Sequence, residues 1–411
     1  MNTASPLRIA LVTYSTKPRG SVVHTLELAE ALHRLGQAVC VYALDKDGTG
    51  FDRAPACDYQ LVPARSAPAE VDALIQQRIQ ELGDELSQFK RPHDIYHAQD
   101  CISANALARV RDEIPRTATS RTIPHFVRTV HHIEDFNSPY LQACQERSLH
   151  APDLCLCVSA IWQEALWRQY QIRASRVLNG VNAQRFTPTL DGSEAALQQR
   201  LGLTGTPIFL TVGGIEPRKN SIALLQAFRQ VLTSFPQAQL IIAGGETLFD
   251  YRPYREQFFA IAHTLNIELN RSIILPGVIP EQDLPALYRT ADAFVFPSVT
   301  EGWGLVVLEA IASGLPVITS NQPPFTEFLS AQQALLVEPS SPEAIASAMI
   351  AVTDSTLARL LVAQSQSILP RYTWDASAQM HLHHYHGLRY GESSGWNPQL
   401  SDRISPSSLS L

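Results

Sequence analysis

Short, nearly unbroken apolar runs alternate with longer amphipathic stretches along almost the whole chain. Runs of that kind predict parallel strands buried on both faces, and the stretches between them predict the helices that cover such a sheet. In the first half the strands fall at 8–14, 39–44, 94–98, 126–130 and 154–158. Val22 to Leu35 carries a helical period closed by Gly36, and 68–89 reads as a long amphipathic helix with its charges turned outward. A polar stretch at 187–205 is the expected interdomain connection, and the pattern restarts beyond it. Strands follow at 208–212, 239–243, 272–275 and 293–296, with a helix over 220–233. Another helix opens near Gly304 and stops at Gly314, and a strand resumes at Leu315. The fold class is therefore α/β, with two Rossmann-like, doubly wound domains facing a cleft. The expected divisions are 1–190 and 206–372 for the two domains, a last helix at 373–390, and a tail at 391–411 whose Ser, Gly and Pro predict disorder.

Composition narrows the class. A chain of 411 residues exceeds what one core usually serves, and 45% hydrophobic with 17% charged residues describes a globular enzyme. A net charge of −7 gives no general attraction to nucleic acid or anionic lipid, so any peripheral membrane contact needs a local patch. No apolar run approaches the ~20 residues that span a bilayer, and the N-terminus enters its first strand without a signal-peptide core. A cytoplasmic protein without a transmembrane segment is expected. Cys40, Cys57, Cys101, Cys144, Cys155 and Cys157 all fall in the first half. Cys155 and Cys157 share one strand face, yet no second pair or metal-spaced histidine accompanies them, so they read as reduced core thiols.

The densest chemistry lies at Glu301-Gly302-Trp303-Gly304-Leu305-Val306-Val307-Leu308-Glu309, where an apolar strand hands over to a helix through a glycine-broken turn. A helix opening at the carboxyl end of a strand turns unpaired N–H groups and its positive dipole end outward, which suits a diphosphate. Glu309 lies about 6 Å along the helix axis from Leu305. It is placed to meet a ribose, while Glu301, before the helix, meets sugar hydroxyls. Two carboxylates repel bare phosphate and so call for hydroxyl partners or nearby cations. Lys219 and Arg218 follow the strand at 208–212 at the start of the next helix; Arg218 is either a phosphate ligand or a solvated helix-start charge.

The run from Pro276 to Glu327 resembles the donor domain of glycosyltransferase family 4. The resemblance rests on Leu284-x-x-Leu-Tyr288, Ala291-Asp292, Phe296-Pro-Ser298, Glu301-Gly-x-Gly304, Glu309-Ala310, Gly314-x-Pro316-Val317 and Glu327. It implies a retaining, nucleotide-sugar-dependent transferase with the GT-B arrangement of two domains and a last helix that crosses back to the first. The donor, a nucleoside-diphosphate sugar, would bind as co-substrate in the second domain. No metal is expected, on the reading that no Asp-x-Asp run of the metal-dependent transferases follows a strand. A small-molecule, glycan or lipid-linked acceptor would enter from the first.

By the same resemblance Gly20 lies against the donor diphosphate, and Gly213 opens a loop in which Lys219 neutralises it. Gly214 stands where the family has an arginine. His131 would sit near the reactive end of the sugar, with His97 and Asp100 on the acceptor-side wall. Gly302, Trp303, Gly304, Leu305 and Val306 would belong to the donor site, with the helix amides at Gly304-Leu305 on the diphosphate, Glu309 on the ribose and Ile279 beside the base. Asn179-Gly180 reads as a tight turn. Rival readings are an epimerase or phosphorylase of the same architecture and a non-catalytic sugar-nucleotide-binding protein. A nicotinamide-dependent dehydrogenase is disfavoured because Tyr14-Ser-Thr-Lys-Pro-Arg-Gly20 lacks the Gly-x-Gly-x-x-Gly fingerprint.

Overall fold

A computed structural model describes residues 5–88, 92–112, 123–245 and 251–391. The tail expected to be disordered lies, apart from Gly391, outside the described residues. The first domain runs β1 (Arg8–Thr13), α1 (Gly20–Arg34), β2 (Ala38–Asp45), β3 (Asp58–Pro63), α2 (Val71–Leu86), β4 (Ile95–Ala98), α3 (Cys101–Asp112), β5 (Phe126–Val130), α4 (Pro139–His150), β6 (Leu154–Cys157), α5 (Ala160–Tyr170) and β7 (Ser175–Arg176). The second runs α6 (Ser193–Leu201), β8 (Ile208–Val212), α7 (Ser221–Ser234), β9 (Gln239–Ala243), α8 (Arg252–Thr264), β10 (Ile273–Gly277), α9 (Leu284–Arg289), β11 (Ala293–Phe296), α10 (Leu305–Ala312), β12 (Val317–Ser320), β13 (Leu335–Val337), α11 (Pro342–Ala351) and α12 (Ser355–Gln366). A last helix, α13 (Trp374–Tyr390), follows.

Both sheets are parallel. The first has the order β3-β2-β1-β4-β5-β6-β7 and the second β10-β9-β8-β11-β12-β13. Burial on both faces is what makes the strands read as unbroken apolar runs. Phe294 and Phe296 of β11 enter one core cluster, and Ala293 and Val295 enter the other. The strands missing from the sequence reading are those that lack such burial. β3 lies at an edge with Asp58, Tyr59 and Gln60 exposed, and β7 is two residues long.

Three local expectations change. The connection at 187–205 is not a free tether, because it contains α6, whose Leu197 is buried in the second-domain core. Arg289 fastens that segment by pairing with Glu194 at 2.5 Å and Asp191 at 2.6 Å. Asn179-Gly180 is a crossing rather than a tight turn: a Cβ on Gly180 would stand 2.3 Å from the Trp374 nitrogen, and only glycine lets the two segments pass. Asn179 places its side-chain oxygen 2.9 Å from Nδ1 of His24. The helix expected at 68–89 is shorter, Val71–Leu86.

α13 returns to the first domain. Trp374, Ala378 and Tyr385 share a core cluster with Val22, Leu28 and Leu32 of α1. Thr373 caps the helix by accepting from the Ala376 N–H, and Arg34–Asp375 and Arg389–Asp94 pairs at 2.6 and 3.1 Å flank it. Among the described residues no single helix is long and apolar enough to cross a membrane.

Candidate active site

In the second sheet the chain winds away from β8 in both directions, so the loops after β8 and β11 open side by side at the carboxyl ends of the strands. Backbone and side-chain bonds lock them together. The Val299 N–H donates to the Arg218 carbonyl at 2.9 Å, and the Ser298 hydroxyl donates to the same oxygen at 2.6 Å. Asn220, left-handed at φ 60°, starts α7 and donates from Nδ2 to the Pro297 carbonyl at 3.1 Å. This registration carries two cations onto one carboxylate. Glu301 Oε1 receives Lys219 Nζ at 2.5 Å and Arg218 Nη1 at 3.2 Å, with Ser298 Oγ 2.8 Å away. Glu301 Oε2 has no protein donor among the described residues.

Burial works to raise the Glu301 pKa, but Lys219 and Arg218 prevail and hold it below the usual carboxylate value. Burial lowers that of Lys219, against the pull of Glu301. Arg218 Nε also stands 2.9 Å from Glu216 Oε2, a charge pair without an aligned hydrogen bond. The glycines make room for this cluster. A Cβ on Gly213 would lie 2.7 Å from Lys219 Cε, and one on Gly214 would lie 2.9 Å from the Gly245 carbonyl. Gly214 is left-handed at φ 78°, and a Cβ on Gly244 would come within 2.5 Å of its nitrogen. The two glycine turns therefore pack backbone to backbone, and an arginine at 214 has no room.

Gly304 starts α10 at φ 95° with no side chain capping the helix, so no cap side chain occupies the N–H groups of its first turn. Leu305 and Val306 are half-buried. Glu309, one turn in, is buried and accepts the Tyr288 hydroxyl at 2.7 Å on Oε2. Burial pushes its pKa up to about 7, and the nearest cation, Arg185, is already paired with Glu281 at 2.6 Å. Trp303 departs from expectation: its indole stacks on Phe328 at 4.8 Å inside the core and is 4% exposed. Only its backbone is left for a ligand. Ile279 is half-buried against the second-domain core, beside the exposed Val278.

Across the cleft, a Cβ on Gly302 would meet the His131 carbonyl at 2.2 Å, so the Glu301-Gly302 turn rests on the end of β5. The His131 ring is 3.2 Å from Gln99 Oε1 and 4.7 Å, edge to face, from His24. Burial keeps it neutral. Gly20 is exposed at the first position of α1, and nothing in the protein crowds it.

His97 is not on the acceptor-side wall, whereas Asp100 is half-buried just beyond the carboxyl end of β4. The pleat turns His97 toward α13, where it is fully buried between Tyr385 Oη at 2.6 Å and Thr129 Oγ1 at 2.8 Å. Asp100 caps α3, accepting the Ser103 N–H at 2.7 Å and the Tyr14 N–H at 2.9 Å. An Asp-x-Asp run, the spacing of metal-dependent transferases, does end a strand at Asp45-Lys46-Asp47. Asp45 accepts the Gly48 and Gly50 N–H groups and Asp47 pairs with Lys17 at 2.8 Å, so both carboxylates are engaged.

Sequence reasoning missed two cross-domain contacts. Trp162 Nε1 donates to the Glu301 carbonyl at 3.1 Å, and Glu327 accepts the Ala160 and Ile161 N–H groups at 2.8 and 3.1 Å, capping α5 from the other domain. Glu327 stood in the family motif; nothing marked Trp162.

Two family models divide the chain between them. Glycosyltransferase Family 4 matches 18–185, and Glycosyl transferases group 1 matches 193–363. The chain belongs to glycosyltransferase family 4. This glycosyltransferase is 27% identical over 263 residues to the O-antigen chain mannosyltransferase B of Escherichia coli, covering 61% of this chain and 67% of that one. It is 25% identical over 401 residues to a D-inositol 3-phosphate glycosyltransferase of Corynebacterium glutamicum, covering 90% and 94%. Among solved structures it superposes on sucrose-phosphate synthase of Thermosynechococcus elongatus with a TM-score of 0.72 at 22% identity, covering 93% and 99%, which establishes the GT-B fold.

Proposed function

We propose that this glycosyltransferase takes its sugar from a nucleoside-diphosphate donor held at the β8/β11 switch point and transfers it with retention of anomeric configuration. The observation that carries the reading is the convergence of Lys219 and Arg218 on Glu301 Oε1, beside the uncapped start of α10. With donor bound, the diphosphate takes over part of the cations' attention, and the N–H groups of Leu305 and Val306 complete its cradle. Glu301 Oε2 then meets sugar hydroxyls, and Glu309 the ribose.

As the glycosidic bond loosens, charge gathers on the leaving phosphate, where fixed cations and amides stabilise it most. Retention is carried over from the family: the acceptor attacks on the face the phosphate leaves, and the departing phosphate takes the acceptor's proton. The reading places no resident metal or cofactor in the step. It is tested by thermal shift against UDP-, GDP- and ADP-sugars. One of them at about 100 times its dissociation constant should add ~2.7 kcal/mol to the wild type and markedly less to Lys219→Ala. Equal responses from the two proteins would remove Lys219 from the donor site.

A further inference from the structure

The first domain carries a second concentration of positive charge that the donor site does not use. Lys46 follows β2, half-buried, with its ammonium 4.3 Å from the centroid of the Tyr14 ring. No carboxylate lies within ion-pairing distance of it among the described residues. Its neighbours in sequence are committed, Asp45 to the N–H groups of Gly48 and Gly50 and Asp47 to Lys17. Burial brings the Lys46 pKa down to about 8; Asp100 pulls it upward, and Arg19 and Arg78 push it further down. Arg78 is itself matched by Glu81 at 2.7 Å.

Deeper on the same side lies Arg128 of β5, 6% exposed, whose Nε and Nη1 find no hydrogen-bond partner. Its charge is felt by Asp100, whose own pKa burial raises. Asp100 is the local anion, and both its oxygens already accept backbone N–H groups, from Tyr14 and Ser103. Buried guanidinium N–H groups without hydrogen-bond partners are costly, and so is a half-buried ammonium without an ion pair.

We infer that the acceptor of this glycosyltransferase carries a phosphate group, held at the carboxyl ends of the first-domain strands by Lys46, with Arg128 supplying charge from beneath. The inference rests on the transferase reading above, since it is that reading which assigns the first domain to the acceptor. Tyr14 joins the two sites: its ring lies under Lys46, and its hydroxyl is within electrostatic reach of Arg218. An acceptor anchored by phosphate at Lys46 therefore extends its other end toward the donor cations.

The experiment is a thermal-shift titration of the whole chain with a saturating nucleoside diphosphate present, so that added phosphate does not report on the donor site. Three probes separate the sources of phosphate: inorganic phosphate, a hexose monophosphate, and a polyprenyl diphosphate in phosphatidylcholine vesicles, the last read by co-sedimentation. At least one should bind the wild type, Lys46→Gln should weaken it about tenfold or more, and Lys46→Arg should keep most of the affinity. Unchanged affinity in Lys46→Gln, or no response of the wild type to any probe, would overturn the inference. Lys219→Gln should lose the nucleotide response and keep the phosphate response. A wild type that answers to phosphate through Lys46 but to no nucleotide would refute the donor site and uphold this one.

Discussion

Glu309 shows how a residue's surroundings turn a motif position into a measurable property. It is buried, shares one hydroxyl with Tyr288, and has its pKa raised to about 7 because burial disfavours the charge. A ribose donating hydroxyls to the carboxylate would favour its ionised form. Nucleotide binding near pH 7 should therefore release a fraction of a proton, seen as a dependence of the calorimetric enthalpy on the buffer's ionisation enthalpy. Glu309→Gln should abolish that dependence and weaken binding by ~1.5–3 kcal/mol. A buffer-independent enthalpy in the wild type would place Glu309 outside the ribose site. The spacing of Glu301 and Glu309 was legible because helical rise fixes it locally. The pairing of Glu301 with Lys219 was not, since 82 positions separate them and only the order of strands in the sheet brings them together. Trp303 misled for the opposite reason: its neighbours in sequence line the cleft, while its side chain turns back onto Phe328.

At the scale of elements, the buried parallel strands were readable and the edges were not, as β3 shows with its exposed Asp58, Tyr59 and Gln60. Least legible was the way α13 is fastened. His24, His97 and His381 gather where it meets the first domain, with ring centroids 5.6 to 5.8 Å apart for the His97–His381 and His24–His381 pairs. Thirteen histidines along the sequence gave no hint of which would meet. Burial lowers His24 to a pKa of about 4 and His381 to about 3. The sign follows from linkage: below pH 6.5 the unfolded chain takes up protons that the folded chain refuses, so their contribution is lost as pH falls from about 6.5 toward 4. Raised carboxyls such as Glu309 act in the opposite direction between about pH 4.5 and 7, so the histidine part is isolated by difference. Relative to wild type, His381→Leu should lose less stability between pH 7 and 4.5, by on the order of 3 kcal/mol in urea unfolding. Parallel pH profiles for the two proteins would show that His381 is protonated without cost in the fold.

For the whole molecule, the two domains meet at defined contacts beside the candidate site. Glu327 caps α5 across the boundary, and no side chain of the first domain caps that helix. Glu327→Ala should cost about 1–2 kcal/mol and open the cleft, raising the radius of gyration in X-ray scattering; an unchanged profile would mean that the other contacts suffice. The central claim is that Lys219, aided by Arg218, meets the charge that develops on a leaving diphosphate. Arg218 and Lys219 reach one carboxylate oxygen while Gly214 has no room for a side chain, so the two cations act as a unit on the same charge. The measurement that tests this most directly compares donor dissociation constant and rate of nucleoside-diphosphate release for wild type, Lys219→Ala, Arg218→Ala and the double variant. Lys219→Ala should slow release by two orders of magnitude or more while weakening ground-state donor binding less, and the double variant should fall short of the product of the single effects. A Lys219→Ala protein that binds donor and releases nucleoside diphosphate at the wild-type rate would contradict the account.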